Sequence, residues 1–583
     1  MRRTKIVCTI GPACERVEVL EKMMLAGMNV ARFNFSHGSH EDHARRLAAT
    51  RKAAGNVGKN IATLLDTRGP EIRIGLLERE PVRLEPGAEI CLTTENVKGN
   101  EKILPVTYRG LPGNVKRGDR ILLADGLIAM RVKYTEESRV YCTVENGGEL
   151  TSRKGINLPG VDVDLPAVTE QDVLDIKFGI KNNFDYVAVS FVRCSGDVLA
   201  VRKIIEDNNG HMDIIAKIEN RQAVDRLDEI IEVSDGIMVA RGDLGVEIQP
   251  EDVPLIQKTI IEKCNQAGKP VITATQMLES MINQPRPTRA EASDVANAIL
   301  DGTDAIMLSG ETAAGEYPVE AVETMSRIAN RAESAIKYEE LLRNKRRELS
   351  KTVTDAISHA TVSTALDLEA AAIISSTESG YTAKMVSKYR PKAPIIAVTP
   401  HARVLRKLAL VWGVQPLLVG RTEDTDSMIS AAVEISLAAG LIKAGDLIVI
   451  TAGVPVGVHG TTNLLKVHTV GDILARGTGI GNRAVTGKAC VVTNYREAID
   501  KISDGNVLVT YDTDRDFMPA IEKAAAIITE VGGLTSHAAI VGLEFGIPVV
   551  VGVEGATNII EDGEEITVDG QRGLIYKGTA RVL

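Results

Sequence analysis

Between residues 4 and about 330, eight short β-branched runs alternate with amphipathic helical stretches: TKIVCTI, VARFNFS, NIATLLDT, YVAVSFV, DIIAKIE, GIMVARG, PVITATQ and AIMLSGET. Strands that recur after helical connections pair in parallel, and eight such units close into a (β/α)8 (TIM) barrel whose reactive residues sit at the C-terminal strand ends. Polar residues end these runs. In the fifth, DIIAKIEN (213 to 220), alternation puts Lys217 and Glu219 on one strand face and Ala216 and Ile218 on the other. A cation and a metal-type carboxylate are therefore expected to share one pocket.

The length of 583 residues allows about four domains at roughly 150 residues each. A formal charge of −10 and a pI near 5.6, with no basic face, argue against a nucleic-acid partner. No run approaches the ~20 apolar residues of a membrane helix, and MRRTKIVCTIG leads into a strand instead of a signal-peptide core, so a cytoplasmic protein without membrane association is expected. The seven cysteines (8, 14, 91, 142, 194, 264 and 490) are scattered and form no C-x-x-C pair, which predicts reduced, buried thiols.

After the third run, RGP (68 to 70) breaks the rhythm, and the chain reads as turns and alternating strands such as AEICLTT, DRILLADG and RVYCTVENGG. Residues 70–168 are thus expected to form an inserted small β-barrel lid on a catalytic barrel of 1–69 and 169–342. Leaving and returning at the barrel mouth, this lid is placed to exclude water during reaction. Its return segment, TSRKGINLPG (151 to 160), carries Lys154. RNKRRELS (343 to 350) reads as a solvated charged helix that opens a further α/β domain, 343–474. In the last segment, 475–583, RGTGIGNRA (476 to 484) lacks the flanking strand and helix of a dinucleotide fingerprint and reads as a turn.

At the barrel mouth, Arg32, Asn34 and Ser36 of VARFNFSHG fall on one face and Phe33 and Phe35 on the other. The arginine is suited to a phosphate. Oxygens of Asn34 and Ser36, with Asp66 and Thr67 closing the next strand, suit a hard cation of low charge, although turn formation accounts for the same residues. In ARGDLG (240 to 245), Gly242 permits close backbone approach, and Asp243 is either a helix cap or a second carboxylate beside Glu219. Two carboxylates plus substrate oxygens are how Mg²⁺ is usually held. A buried Lys217 has three readings: a structural ion pair with Glu219, a Schiff-base nucleophile, or a point charge on a transferring phosphoryl group and a developing enolate. Thr273 and Thr275 of PVITATQM are expected to share a strand face, where a hydroxyl binds a carboxylate or relays a proton, though β-propensity alone explains both. Arg73 either reaches a nucleotide phosphate from the lid side or makes a surface ion pair.

Together the segments TKIVCTIGPA, GMNVARFNFSHG, LLDTRGPEIR, IIAKIENRQAV, MVARGDLGVE, TATQMLESM and PTRAEASDVANAILDGTDAIMLSGETAAGEYP resemble the pyruvate kinases over about residues 1 to 473. The resemblance implies transfer of the phosphoryl group of phosphoenolpyruvate to ADP, giving ATP and an enolate that is protonated to pyruvate. It implies that Arg32 and Lys217 hold the phosphoryl group, and that Glu219 and Asp243 hold Mg²⁺ (or Mn²⁺). Gly242, Asp243 and Thr275 would meet the substrate carboxylate, Asn34, Ser36, Asp66 and Thr67 would hold K⁺, and Asn34, His37, Arg73 and Lys154 would meet ADP. Glu71, in GPEIR, resembles the K⁺-requiring members, in which a bound cation stands in for a fixed positive charge. A homotetramer is implied as well.

In AAAIISSTESGYTAKMVSKY (370 to 389) a strand ends in hydroxyl residues before a helix whose free N–H groups suit an anion, or which is simply capped there. The resemblance implies a phosphorylated allosteric effector at Thr377, Ser379, Gly380 and Thr382, covered by GVPVGVHGTTN (453 to 463). AIITEVGGLTSHAAIVGLEFGIPVVVGVEGAT (526 to 557) resembles the swivelling phosphohistidine domain of phosphoenolpyruvate synthase and pyruvate phosphate dikinase, with His537 at the phosphorylated position. Where those enzymes commonly carry an arginine, this chain has Gly542 and Leu543, and it contains no ATP-grasp segment. An inherited structural or regulatory domain is therefore expected in preference to a phosphocarrier.

Overall fold

Eight parallel strands close into a ring: β1 Lys5–Thr9, β2 Val30–Asn34, β3 Ala62–Asp66, β4 Tyr186–Val189, β5 Asp213–Ile218, β6 Gly236–Ala240, β7 Val271–Ala274 and β8 Ala305–Leu308. The structure is a computed structural model and describes residues 2–345, 352–422, 424–454, 462–471 and 473–580. Strand alternation divides the core. Val7, Val30, Leu64, Ala188, Ile215 and Met238 pack together inside the ring, whereas Cys8, Phe33, Leu65, Ala216, Ile218 and Val239 pack with the surrounding helices. Two residues further along the inward series stand Thr9, Arg32, Asp66, Ser190 and Lys217, and the first two are register partners across β1 and β2. The apolar plug below thus ends in a polar layer at the mouth.

Local sequence fixes where the helices start. Ser39 with Asp42, Thr169 with Asp172 and Thr288 with Glu291 form capping boxes at helices His40–Val57, Glu170–Lys181 and Arg289–Leu300, satisfying amides that would otherwise lack partners. Between β3 and β4, a six-stranded sheet and a two-stranded ribbon share one apolar core that includes Leu84, Leu92, Met130 and Leu150. This inserted segment meets the barrel through Asn157 Nδ2, which donates to Glu247 Oε1 at 3.2 Å, and through Arg193, which donates to the carbonyls of Val163 (3.0 Å) and Leu165 (2.8 Å).

One contribution to the barrel comes from far along the chain. The compact unit that holds the barrel consists of Met1–Leu341 and His401–Pro416. Ala409 and Leu410 join the interior core, Tyr186 Oη donates to the Lys407 carbonyl at 2.5 Å, and Arg406 pairs with Asp185 at 2.9 Å. Lys5, 3% exposed, donates to the Val414 carbonyl at 2.7 Å. Burial, with Arg2 adding to it, lowers the Lys5 ammonium to about 7. Between pH 7 and the unfolded value of 10.5 the unfolded chain binds the extra proton, so stability rises with pH across that window. Lys5→Met is therefore expected to stabilise by about 2 kcal/mol near pH 7, with a gain that shrinks towards pH 10, as read from melts at several pH values.

The second unit comprises Leu342–Pro400 and Leu417–Leu583. In it, Ile395–Thr399, Ala372–Ser376 and Leu447–Ala452 pair in parallel in that order, and Leu464–Thr469 adds antiparallel to the last. An eight-stranded sheet follows, with Val507–Thr510 and Ala526–Thr529 near its middle. The glycine-rich stretch expected as a turn contains a strand, Thr478–Ile480, paired antiparallel with Val549–Val551. A Cβ on Gly477 would lie 2.5 Å from the Val551 carbonyl oxygen, and one on Gly479 2.4 Å from that of Gly570, so these glycines serve close backbone approach. Helix Tyr338–Lys345 covers the start of RNKRRELS, and residues 346–350 lie outside the described residues. The cysteines are free thiols, six of them buried. No helix among the described residues is long and apolar enough to cross a membrane.

Candidate active site

Lys217 lies 9% exposed at the end of β5. Its ammonium is 2.7 Å from Ser190 Oγ, 2.8 Å from Glu219 Oε1 and 3.2 Å from Asp66 Oδ1. The other Asp66 oxygen, Oδ2, accepts from Arg32 Nε at 2.6 Å, and Arg32 Nη1 donates to Thr9 Oγ1 at 2.8 Å. One buried carboxylate therefore bridges two cations. Burial acts against the Asp66 charge, but Arg32 and Lys217 outweigh it and hold this carboxyl below the usual range. Burial opposes the Lys217 charge too, yet Asp66, Glu219 and Asp243 together raise its pKa above the ordinary lysine value. A Schiff-base nucleophile needs a neutral amine. This lysine is held as the cation.

Glu219 is 2% exposed, and its Oε2 accepts from the Phe191 amide at 2.5 Å. Burial pushes its carboxyl up, Lys217 pulls it back and Asp243 pushes it further. Asp243 stands in the first turn of helix Arg241–Glu247, directly after β6. Burial raises it as well, with Asp125, Asp66 and Glu71 adding to the effect and Lys217 opposing it. It does not cap its helix, and among the described residues its carboxylate has no hydrogen bond or ion pair. Two carboxylates that repel each other, one without a partner, leave a surplus of negative charge that a divalent cation would relieve.

The β2 and β3 ends bring the other oxygen donors together, with Asn34 opposite Asp66 in register. The turn role of Asn34 is real: its Oδ1 accepts from the Ser36 amide at 3.1 Å. The Asp66 carbonyl accepts from the Phe35 amide at 3.0 Å, and Thr67 Oγ1 from the Ser190 amide at 3.2 Å. Carbonyl, hydroxyl and carboxylate oxygens at two adjacent strand ends fit a low-charge cation.

Thr273 and Thr275 do not share a face. Ile272 and Ala274 point into the barrel, whereas Thr273 is fully buried on the opposite side, bonded to Thr303 Oγ1 at 2.9 Å. Strand β7 ends at Ala274, and Thr275 has φ 66°, so alternation stops before it. Its Oγ1 accepts from the Gly242 amide at 2.8 Å and donates to the Ala274 carbonyl at 2.6 Å. Arg241 braces this turn from Asp294 (2.7 Å) to the Thr275 carbonyl (2.7 Å). A Cβ at Gly242 would stand in ordinary contact with Thr275, 3.5 Å from its Oγ1.

A cleft of about 580 Å³ opens between lid and barrel, lined by His37, Glu71, Arg73, Lys154, Phe191 and Asp243 among others. Arg73 Nε donates to Glu71 Oε2 at 2.5 Å and Nη1 to the Arg153 carbonyl at 2.9 Å, so its ion-pair reading is realised inside this cleft. Asn34 is not part of the cleft lining and stays with the oxygen cluster.

The sequence reading missed Thr9, Ser190 and Arg241. Both hydroxyls had a signal. Thr9 lies two positions beyond inward Val7, and Ser190 two beyond inward Ala188. Nothing local marks Arg241, whose partners come from β7 and a later helix.

In the second unit, Gly380 (φ 86°) precedes helix Tyr381–Ser387. Its amide is not free, because Thr377 Oγ1 accepts it at 2.9 Å, and Ser379 Oγ accepts the Tyr381 amide at 3.4 Å. Thr382 Oγ1 lies 2.9 Å from Thr462 Oγ1, while 455–461 of the expected covering loop lie outside the described residues. His537 opens helix His537–Phe545, its Nδ1 3.1 Å from Thr513 Oγ1. A Cβ on Gly542 would lie 2.1 Å from Val549 Cγ2, and Leu543 is 64% exposed. Packing thus accounts for the glycine.

Comparison with known proteins covers the whole chain. The family "Pyruvate kinase, barrel domain" matches residues 1–322, "Pyruvate kinase, alpha/beta domain" 355–468 and "PEP-utilising enzyme, mobile domain" 502–573. A pyruvate kinase of Geobacillus stearothermophilus is 56% identical over 585 residues and one of Bacillus licheniformis 55% over 586, each with 100% of both chains covered. A crystal structure of a pyruvate kinase from Cryptosporidium parvum superposes with a TM-score of 0.77 at 43% identity, covering 80% of this chain and 96% of that one.

Proposed function

The chain belongs to the pyruvate kinase family, a phosphotransferase family of glycolysis that moves the phosphoryl group of phosphoenolpyruvate to ADP, and from that premise we propose how its residues share the reaction. Arg32 and Lys217 take the phosphoryl group between them. The observation that carries this role is their joint suspension from Asp66, at 2.6 and 3.2 Å, which fixes two cations at one spot without freeing either to wander. Glu219 and Asp243 hold the divalent ion, Mg²⁺ or Mn²⁺, for which their unbalanced charge is fitted. When bound, that ion supplies Lewis-acid polarisation of the substrate oxygens. Asn34, Ser36, Asp66 and Thr67 hold K⁺, in keeping with Glu71 where a fixed cation would serve instead.

The substrate carboxylate meets the amides at Gly242 and Asp243 and the Thr275 hydroxyl, which already share one hydrogen bond. Thr275 also relays a proton through water to the enolate. ADP enters the cleft with His37, Arg73 and Lys154 around it, Asn34 meets it from outside that lining, and closure of the lid excludes water. A phosphorylated effector binds at Thr377, Ser379, Gly380 and Thr382, exchanging the loop's own hydroxyls for phosphate oxygens at the Gly380 and Tyr381 amides. The same reading makes the protein a cytoplasmic homotetramer. His537 has no part in turnover, because Leu543 stands where a phosphohistidine would have its cation.

A lactate-dehydrogenase-coupled assay tests this division. Turnover of phosphoenolpyruvate and ADP is expected to require both Mg²⁺ and K⁺, and His537→Ala is expected to keep kcat within about twofold, since a side chain outside the reacting centre changes little. Full turnover in Na⁺ alone would remove the K⁺ assignment, and collapse of the His537 variant would restore the phosphocarrier.

A further inference from the structure

We propose that Ser190 is the positioning residue for Lys217, the fixed point from which the ammonium presents its charge to the migrating phosphoryl group; this rests on the functional reading above. An ammonium has three N–H donors. Lys217 directs them at Ser190 Oγ (2.7 Å), Glu219 Oε1 (2.8 Å) and Asp66 Oδ1 (3.2 Å), so contact with a phosphoryl oxygen requires one of them to be released.

The two carboxylates have competing demands on their charge. Asp66 Oδ2 already serves Arg32 at 2.6 Å, and Glu219 faces the repulsion of Asp243, which a bound cation draws on. Ser190 has no such competitor. Its own proton goes to the Thr67 carbonyl at 2.7 Å, much nearer than Asp66 Oδ1 at 3.4 Å, its amide goes to Thr67 Oγ1 at 3.2 Å, and the residue is 3% exposed. With its O–H committed, the oxygen offers a lone pair towards Lys217. A neutral acceptor steers the ammonium without cancelling its charge, as a carboxylate in part does. The neighbouring cation is held the same way: Thr9 Oγ1 accepts from Arg32 Nη1 at 2.8 Å and donates to the Leu308 carbonyl at 3.0 Å. The layer thus pairs each cation with one hydroxyl whose proton is tied to the backbone.

The test uses full-length Ser190→Ala, Ser190→Thr and Lys217→Met, with steady-state kinetics, thermal melts and a crystal structure of the alanine variant. Ser190→Ala is expected to lower kcat by about 30- to 100-fold, the loss that follows a displacement of about 1 Å. Its KM for ADP is expected to stay within about twofold, because Ser190 lies away from the nucleotide. In its crystal, Lys217 Nζ shifts by about 1 Å towards the carboxylates, and Ser190→Thr, which keeps the hydroxyl, recovers kcat to within about fivefold. Should the alanine variant not fold, Ser190→Cys, with its weak acceptor, is expected to show the same loss. Unchanged kcat in the alanine or cysteine variant, an unmoved Nζ despite lost kcat, or an equal loss in the threonine variant would overturn the inference. Lys217→Met separates the two levels: retained kcat there removes the functional reading itself, whereas loss there with full activity in Ser190→Ala removes the role of Ser190 alone.

Discussion

Lys217→Met is expected to lower kcat by about 10³-fold or more while the protein stays folded, because phosphoryl transfer depends on positioned positive charge more than on any covalent step. Methionine keeps the apolar stem of lysine out to Cε but removes the ammonium and its charge. The barrel interior below is apolar, so the stem remains well accommodated. Asp66 keeps Arg32 at 2.6 Å, which limits the damage on that side. Glu219 loses the cation that pulls its carboxyl down and keeps both burial and Asp243, which push it up. A purely structural ion pair would give a different outcome: a lower melting temperature with turnover per folded molecule unchanged. A coupled assay beside a thermal melt separates these results directly.

Glu219→Gln is expected to have the second large effect, this time on metal affinity. The amide keeps the side-chain shape and can still accept from the Phe191 amide, which the carboxylate meets at 2.5 Å. The negative charge is gone. With one of two carboxylate ligands lost, affinity for Mn²⁺ or Mg²⁺ is expected to fall on the order of 10²-fold, and part of the activity should return at high metal concentration. The pH dependence has a definite sign. Burial raises the Glu219 pKa, so the wild type takes up a proton here sooner than an ordinary glutamate as pH falls, and its metal affinity drops on the acid side. Glutamine does not titrate, and the variant should lose that part of the pH dependence. Equal affinities in the two proteins would mean the metal lies elsewhere.

Strand period was the most legible property of the chain. A repeat of two put Lys217 with Glu219 on one strand face and Arg32 opposite Phe33, because the barrel core tolerates only alternation between ring interior and helix layer, whereas Asp66 was marked only by closing its strand. The same rule failed at Thr275, where a positive φ after the strand end turns the side chain by a route no periodicity encodes. A different signal misled at 478–480: glycines chosen for close backbone contact look like glycines of a turn, and only the strand Val549–Val551, about seventy residues away, distinguishes the two. Long-range partners were the other limit. The segment His401–Pro416 reads like its α/β neighbours, yet it fills the floor of the barrel with Ala409 and Leu410 and takes up Asp185 through Arg406. The hydroxyls of Thr9 and Ser190 obey the alternation but are too common in strands to stand out without the cations that they hold.

The convergence of Lys217, Glu219 and Asp243 on one phosphorus is tested most directly by anomalous diffraction from crystals soaked in Mn²⁺ and a phosphoenolpyruvate analogue. The expected result is a manganese peak at coordination distance, about 2.0–2.2 Å, from carboxylate oxygens of both Glu219 and Asp243, with Lys217 Nζ on the phosphoryl oxygens. A peak bound by neither carboxylate, or a phosphoryl group out of reach of Lys217, would contradict it.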